Sequence, residues 1–184
     1  MARQPRLSVL RILWFAMLLA TMLYAGIAFS GIFKPKGAPL DPMMPLVFGL
    51  LSIVLTIVSF ALPRTIYTSA ARNVEVETRE EALPDAFSAR YREAIGKRTV
   101  FADPQAATAK AYSVFMTPFI LSLALSEAIA LFGMVLAALG FEKMVAAPFF
   151  AAGAVLIAVR FPSERKILGA FVAARGVSFP SSAS

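Results

Sequence analysis

The sequence contains no histidine and no cysteine, and each absence excludes classes of function. Without histidine, the chain cannot hold a haem through histidine ligands, and the common zinc hydrolase sites are excluded. Without cysteine, iron–sulfur clusters, thiolate catalysis and thiol–disulfide exchange are excluded. Because the sequence also offers no nucleophile–base pair close to a membrane surface, we expect neither an enzyme nor a bound cofactor or metal.

What the sequence has in abundance is apolar residues. Of its 184 residues, 59% are hydrophobic and the mean hydropathy is +0.73, well above the values of a soluble domain. The formal charge is +7, but in a membrane protein basic residues chiefly mark the cytoplasmic loops. We therefore expect an integral membrane protein whose partners are the lipid bilayer and a membrane protein or a homo-oligomer, and no nucleic acid.

Four apolar runs predict an all-α membrane protein with four transmembrane helices in two antiparallel hairpins. The predicted spans are residues 12–33, 43–62, 111–139 and 144–161. Twenty helical residues are about 30 Å long, which matches the hydrocarbon thickness of a bilayer. Pro63 is expected to end the second helix, and the short turn after Gly140 is expected to pair the last two helices.

The first apolar run has an alternative interpretation as a secretory signal peptide. Basic residues precede it, and Ala28-Phe29-Ser30 has the small-residue spacing of a cleavage site. The apolar part of a signal peptide is typically about 7–15 residues long. Because this run is longer, we favour a retained helix within one membrane domain covering residues 1–184.

The long polar loop, residues 63–110, carries charges of both signs. The spacing of its apolar residues predicts a helix over 85–97, and Asp103-Pro104 predicts a capped start for the third helix. Four of its acidic residues are interpreted as a solvated charge run, with a metal site as the less favoured alternative. These are Glu75, Glu77, Glu80 and Glu81.

The C-terminal tail, residues 163–176, predicts a short amphipathic helix lying in the membrane interface. Ser163 is the expected N-cap and Gly176 the expected end. Its basic side chains, including Arg175, are expected to face the lipid headgroups, and residues 178–184 are predicted to be disordered.

The distribution of Lys and Arg predicts the orientation. Three basic residues in the N-terminal segment, eight in the long loop and four from Arg160 onward place fifteen on one side of the membrane. Lys34, Lys36 and Lys143 lie on the other. Positive residues concentrate on the cytoplasmic side, so both termini are expected inside, in a bacterial inner membrane.

One carboxyl, Glu127, lies near the middle of the third apolar run. A charged side chain at that depth costs a few kcal/mol, which makes it a functional hypothesis. Counting helix rise from the predicted outer ends places Thr21 and Thr56 at the same depth. Together with Ser52 and Ser126 they are the predicted buried polar partners. Glu127 is then either an interhelical hydrogen-bonding group or a carboxyl that gains and loses a proton or cation.

Small residues recur at helical spacing on two of the predicted spans, and such faces favour close helix packing. One face belongs to the second span and one to the third. They consist of Gly49, Ser52, Thr56 and Ser59, and of Ser126, Ala130, Gly133 and Ala137. Alternatively, the hydroxyls of the first face point towards Glu127.

Residues 127–137, EAIALFGMVLA, resemble the ion-binding helix of the proteolipid ring subunit of rotary ATPases. In that family the glutamate carries the translocated proton or sodium ion. The resemblance implies an ion-binding role for Glu127 and packing positions at Ala130 and Gly133. The chain as a whole resembles a bacterial family of four-helix integral membrane proteins with an acidic third helix, which implies a fold but no activity.

From these features we expect a small non-enzymatic integral membrane subunit or accessory protein of a larger membrane complex. The alternative is a proton- or cation-coupled transport element that works through Glu127.

Overall fold

The computed structural model of the chain describes residues 5–33, 41–82 and 97–180. These residues form five helices and two strands. In chain order they are α1 (Pro5–Phe29), α2 (Met43–Asn73), β1 (Thr78–Ala82), β2 (Lys97–Phe101), α3 (Pro104–Leu139), α4 (Lys143–Ala158) and α5 (Glu164–Arg175). The fold is mostly helical, as predicted, but the all-α prediction omitted a two-stranded sheet in the polar loop.

Three helices of the described chain are long and apolar enough to cross a membrane. They are α1 from Leu7 onward, α2 and α3. The fourth predicted span is represented by α4, which is apolar but has only 16 residues, or about 24 Å of helix. Arg160 and Phe161, which the prediction placed inside this span, follow the end of α4.

Local signals set two of the helix ends. The Asp103 carboxylate accepts hydrogen bonds from the amides of Gln105 and Ala106 at 2.8 and 3.0 Å, so the predicted cap of α3 is confirmed. α1 ends at Phe29, four residues before the predicted boundary. Gly31 has a φ of +83°, a left-handed conformation that is incompatible with continuing the helix.

The prediction that Pro63 ends the second helix is wrong, because α2 continues to Asn73. A proline inside a helix removes one amide and leaves the carbonyl four residues earlier without its usual partner. Here that carbonyl belongs to Ser59, and it accepts a hydrogen bond from Arg160 at 3.2 Å. The freed carbonyl is satisfied by a side chain from the segment that follows α4, so α2 tolerates the proline.

The chain divides into two compact units. The helical unit consists of Met1–Ile66 and Met116–Pro162, and the mixed unit of Tyr67–Phe115 and Ser163–Ser184. In the helical unit α1 and α4 lie antiparallel. Trp14 Nε1 donates to the carbonyl of Ile157 at one end, and Lys143 Nζ donates to the carbonyl of Phe29 at the other, at 2.7 and 2.8 Å.

The mixed unit is built on the antiparallel pairing of β1 with β2, in which Thr78 lies opposite Phe101. Ser178 extends this sheet by a parallel bridge to Val100 on the other edge of β2. The prediction of disorder from residue 178 is therefore wrong for the described part of the tail, which reaches Pro180. Of the helix predicted over 85–97, Lys97 belongs to β2, and residues 85–96 lie outside the described residues.

The tail helix α5 confirms its predicted boundaries. The Ser163 side chain accepts a hydrogen bond from the amide of Lys166, and Gly176 closes the helix in a left-handed conformation. Its apolar face is buried inside the mixed unit, where Phe171 stacks on Phe101 with ring centroids 5.6 Å apart. Arg175 does not point to headgroups but donates to the carbonyls of Ala71 and Val74 at the end of α2.

Candidate buried polar site

An extensive polar contact in the helical unit is centred on Arg160. Its Nη1 atom donates to the Ser126 hydroxyl on α3 and to the Leu156 carbonyl at 2.7 Å. Its Nη2 atom donates to the hydroxyl of Ser59 on α2 at 2.7 Å, and to the carbonyl of the same residue. We call Arg160, Ser59 and Ser126 the arginine cluster, because one guanidinium joins α2 and α3 to the end of α4.

The Arg160 guanidinium contacts an aromatic ring with its planar face, in addition to the hydrogen bonds along its edge. Its central carbon lies 4.4 Å from the centroid of the Phe60 ring, a distance typical of a cation–π contact. The four acceptors engage the four terminal N–H groups of the side chain. Both serine residues are buried, so the Arg160 side chain lies against the interior of the helical unit.

Gly153 on α4 permits the close approach of α3 and α4 beside the arginine cluster. A Cβ at that position would lie 2.9 Å from the Ala130 Cβ and 3.0 Å from the Ser126 carbonyl, both on α3. The two helices are therefore in backbone contact. Farther along, a Cβ at Gly133 would lie 3.0 Å from the Ala146 carbonyl, so the contacts run in reverse order and α3 and α4 lie antiparallel.

Glu127, next to Ser126, faces a different partner. Its carboxyl lies near the hydroxyl of Tyr24 on α1, close enough for the two groups to interact electrostatically. Glu127 is partly buried, and no ion pair with a described cation engages it. This places a carboxyl and a phenol, each able to hold or pass a proton, on adjacent helices of an apolar unit.

The hydroxyls predicted to surround Glu127 bond to their own helices. Thr21 donates to the Met17 carbonyl at 3.1 Å, and Thr56 donates to the Ser52 carbonyl at 2.8 Å. Ser52 itself donates to the carbonyl of Phe48 at 2.8 Å. Hydroxyls that satisfy a carbonyl three or four residues back have no proton left to donate to a carboxylate.

The Ser126 hydroxyl likewise donates a hydrogen bond within its own helix, to the Ser122 carbonyl at 2.7 Å. Its oxygen then accepts from Arg160, so it belongs to the arginine cluster.

The four predicted packing positions divide into two groups. Ala130, Gly133 and Ala137 are buried in the described chain, and the first two lie in the α3–α4 contact. Gly49 on α2 is different, because a Cβ there would meet no atom within 4 Å. The small-residue face of α2 is thus occupied at Ser59, which contacts Arg160, and open at Gly49.

Sequence reasoning missed Arg160 and Tyr24 as site residues. A usable signal for Arg160 was Pro63, which predicts a free carbonyl at Ser59 and so a need for an external donor. No comparable signal identified Tyr24. Depth was counted equally from the two helix ends, but Tyr24 lies five residues before the observed end of α1 and Glu127 lies twelve before that of α3. Equal counts from the two ends therefore do not place these residues at the same level.

The described residues contain no group of three or more acidic side chains placed to hold a metal ion. Of the glutamates in the polar loop, Glu75, Glu77 and Glu80 are exposed, and Glu81 forms an ion pair with Arg98 at 3.0 Å.

No known protein family, curated protein or solved structure matches this chain.

Proposed function

We propose that the chain is a small non-enzymatic integral membrane subunit or accessory protein of a larger membrane complex. The observation that supports this most directly is the exposure of α2. Only 6% of an apolar 18-residue stretch of α2 is buried within the chain, compared with 44% of the corresponding stretch of α3. An apolar helix with so little burial in its own protein has most of its surface available to lipid or to the helix of a partner.

Gly49 favours a partner helix over lipid alone. Lipid chains cover apolar side chains without any need for glycine, whereas small residues allow two helix backbones to approach closely. No atom of the described chain fills the space beside Gly49. Its neighbours on the same side of α2 are large and apolar, and Leu46 and Ile53 are 55% and 59% exposed. A partner helix seated here would use Gly49 as its closest contact.

The proposed topology has four membrane-crossing helices in two antiparallel hairpins, with both termini in the bacterial cytoplasm. α4 is the short member of the set. Its hydrogen bonds to α1, through Trp14 and Lys143, lie at its two ends, which supports a full crossing alongside that helix. A helix shorter than the hydrocarbon is accommodated by local thinning of the bilayer at modest cost.

The proposal is tested by photo-crosslinking in native membranes. A photoreactive residue replaces Gly49 in one variant and Val54 in a matched control. Val54 is 54% exposed and lies about 140° around α2 from Gly49. We expect the Gly49 variant to form one discrete adduct with a different protein, recovered in stoichiometric amount, and the Val54 variant to form lipid adducts only.

Two outcomes contradict the proposal. One is lipid adducts alone at both positions. The other is a Gly49 adduct with twice the mass of the chain, which indicates a homo-oligomer and favours the second candidate function.

The second candidate is a proton- or cation-coupled transport element, favoured by the contact between Tyr24 and Glu127. A carboxyl without a described cation partner, placed beside a phenol, is a group that an ion or proton can occupy. We expect Glu127→Gln to abolish proton or sodium flux in reconstituted vesicles while abundance and assembly stay unchanged. If the wild-type chain and this variant show the same flux, Glu127 serves only as an interhelical hydrogen-bonding group.

A further inference from the structure

We infer that the end of the α1–α4 pair binds one anionic phospholipid, with its phosphate on Arg11 and an acyl chain along α1. The site is built on the Arg11 cluster, which consists of Arg11, Trp14 and Phe161. The Arg11 guanidinium carbon lies 5.6 Å from the centroid of the Phe161 ring. The Trp14 ring meets the same phenylalanine edge-on, with centroids 5.1 Å apart.

The cluster leaves the hydrogen-bonding edge of Arg11 available. A guanidinium that rests on an aromatic ring uses its face, while its N–H groups lie in its plane. Arg11 is exposed, α1 contains no acidic residue, and no carboxylate of the described residues forms an ion pair with it. A phosphate group, with oxygens spaced to accept two parallel N–H bonds, is the anion that this geometry fits best.

The second cation near Phe161 does not compete for the phosphate. Arg160 directs its terminal N–H groups to Ser59, Ser126 and Leu156 inside the helical unit. The phosphate contact therefore falls to Arg11, which Trp14 supports by fixing α1 to the Ile157 carbonyl at 2.7 Å.

An exposed apolar stripe on α1 begins next to Arg11 and supplies the place for an acyl chain. Phe15, Leu19 and Met22 follow Arg11 by four, eight and eleven residues, on one side of the helix, and are 60%, 48% and 50% exposed. From Arg11 to Met22 the helix rises about 16 Å, roughly half of a 30 Å hydrocarbon core. The stripe thus has the length of one leaflet, and a cation lies at its polar end.

Trp14 reports on this site directly, because it is the single tryptophan of the chain. The full-length protein is reconstituted in phosphatidylcholine vesicles that contain increasing fractions of phosphatidylglycerol with brominated acyl chains, and the quenching of Trp14 is measured. Brominated phosphatidylcholine provides the reference. One arginine near a membrane surface contributes about 1 kcal/mol to the binding of anionic lipid, so we expect phosphatidylglycerol to associate about five-fold more strongly.

Arg11→Gln should reduce this ratio to about one, whereas the matched control Arg165→Gln, at an exposed arginine of α5, should retain it. A ratio near one for the wild-type chain overturns the inference, and so does an unchanged ratio in Arg11→Gln. Addition of inorganic phosphate distinguishes the source of the anion. Loss of the lipid preference in its presence would show a general phosphate site and overturn the lipid assignment.

A second measurement covers the case in which Arg11→Gln does not fold. Native mass spectrometry of the wild-type chain, purified from vesicles with equal amounts of the two lipids, should show one bound phosphatidylglycerol. Equal amounts of bound phosphatidylglycerol and phosphatidylcholine, as in the vesicle, would contradict the inference.

Discussion

Arg160 donates a hydrogen bond to the backbone carbonyl of Ser59, with a nitrogen–oxygen distance of 3.2 Å. That carbonyl is the one that Pro63 deprives of its helical partner. In a hydrocarbon environment an unsatisfied backbone group costs several kcal/mol, because no water is available to replace the missing donor. Arg160 thus compensates on α2 for an amide that the sequence of α2 lacks.

The first prediction tests this compensation. Arg160→Ala should lower the free energy of unfolding by about 2 kcal/mol, the usual range for hydrogen bonds to a charged group. Pro63→Ala restores the missing amide, so the loss caused by Arg160→Ala should be smaller in that background by about 1 kcal/mol. The measurement is reversible unfolding of all four chains in mixed detergent micelles.

Strict additivity of the two substitutions would contradict this interpretation. It would mean that the stabilising effect of Arg160 does not depend on the carbonyl that Pro63 leaves free.

The second prediction concerns the contact between α3 and α4. Gly153→Ala introduces a methyl group 2.9 Å from the Ala130 Cβ and 3.0 Å from a backbone carbonyl, so the helices must separate. We expect a loss of about 1–3 kcal/mol in thermal or detergent unfolding. Gly26→Ala is the matched control, since its Cβ meets no atom within 4 Å and the substitution should be neutral or mildly stabilising.

The third prediction concerns the mixed unit. Arg175 donates to the Ala71 carbonyl, in the last turn of α2, at 3.1 Å. It also donates to the carbonyl of Val74, the residue that follows α2. Arg175→Ala should lower the stability of this unit by about 1 kcal/mol and raise amide hydrogen exchange around Ala71. Arg165→Ala, at an exposed position of the same helix, should leave both unchanged.

The fourth prediction is the orientation. A reporter fused at Ser184 or inserted near Gln105 should read cytoplasmic, because the proposed four-span topology places fifteen of the eighteen basic residues on that side. A reporter near Gly37 should read external. Identical readings at Gly37 and Gln105 would mean that α2 does not cross the membrane.

The helices themselves were predictable from the sequence. Long uncharged runs can satisfy their backbone in a membrane only by forming helices, so the existence of α1, α2 and α3 follows from composition and length. The caps at Asp103 and Ser163 were also predictable, because a cap depends on a few consecutive residues. In the candidate site, Glu127 was identified because a carboxyl in an apolar run stands out without any knowledge of its neighbours.

The partners of these groups were decided by tertiary structure. Tyr24 is far from Glu127 in the sequence, and Arg160 is 101 residues from Ser59. The length of α2 depended on the same distant contact, since a proline ends a helix or not according to whether its free carbonyl finds a donor. The β1–β2 pairing lay in a charged segment without apolar alternation. Composition determined which segments are helical, because that preference is local, whereas the fold determined which polar atoms meet, because hydrogen bonds require proximity in space.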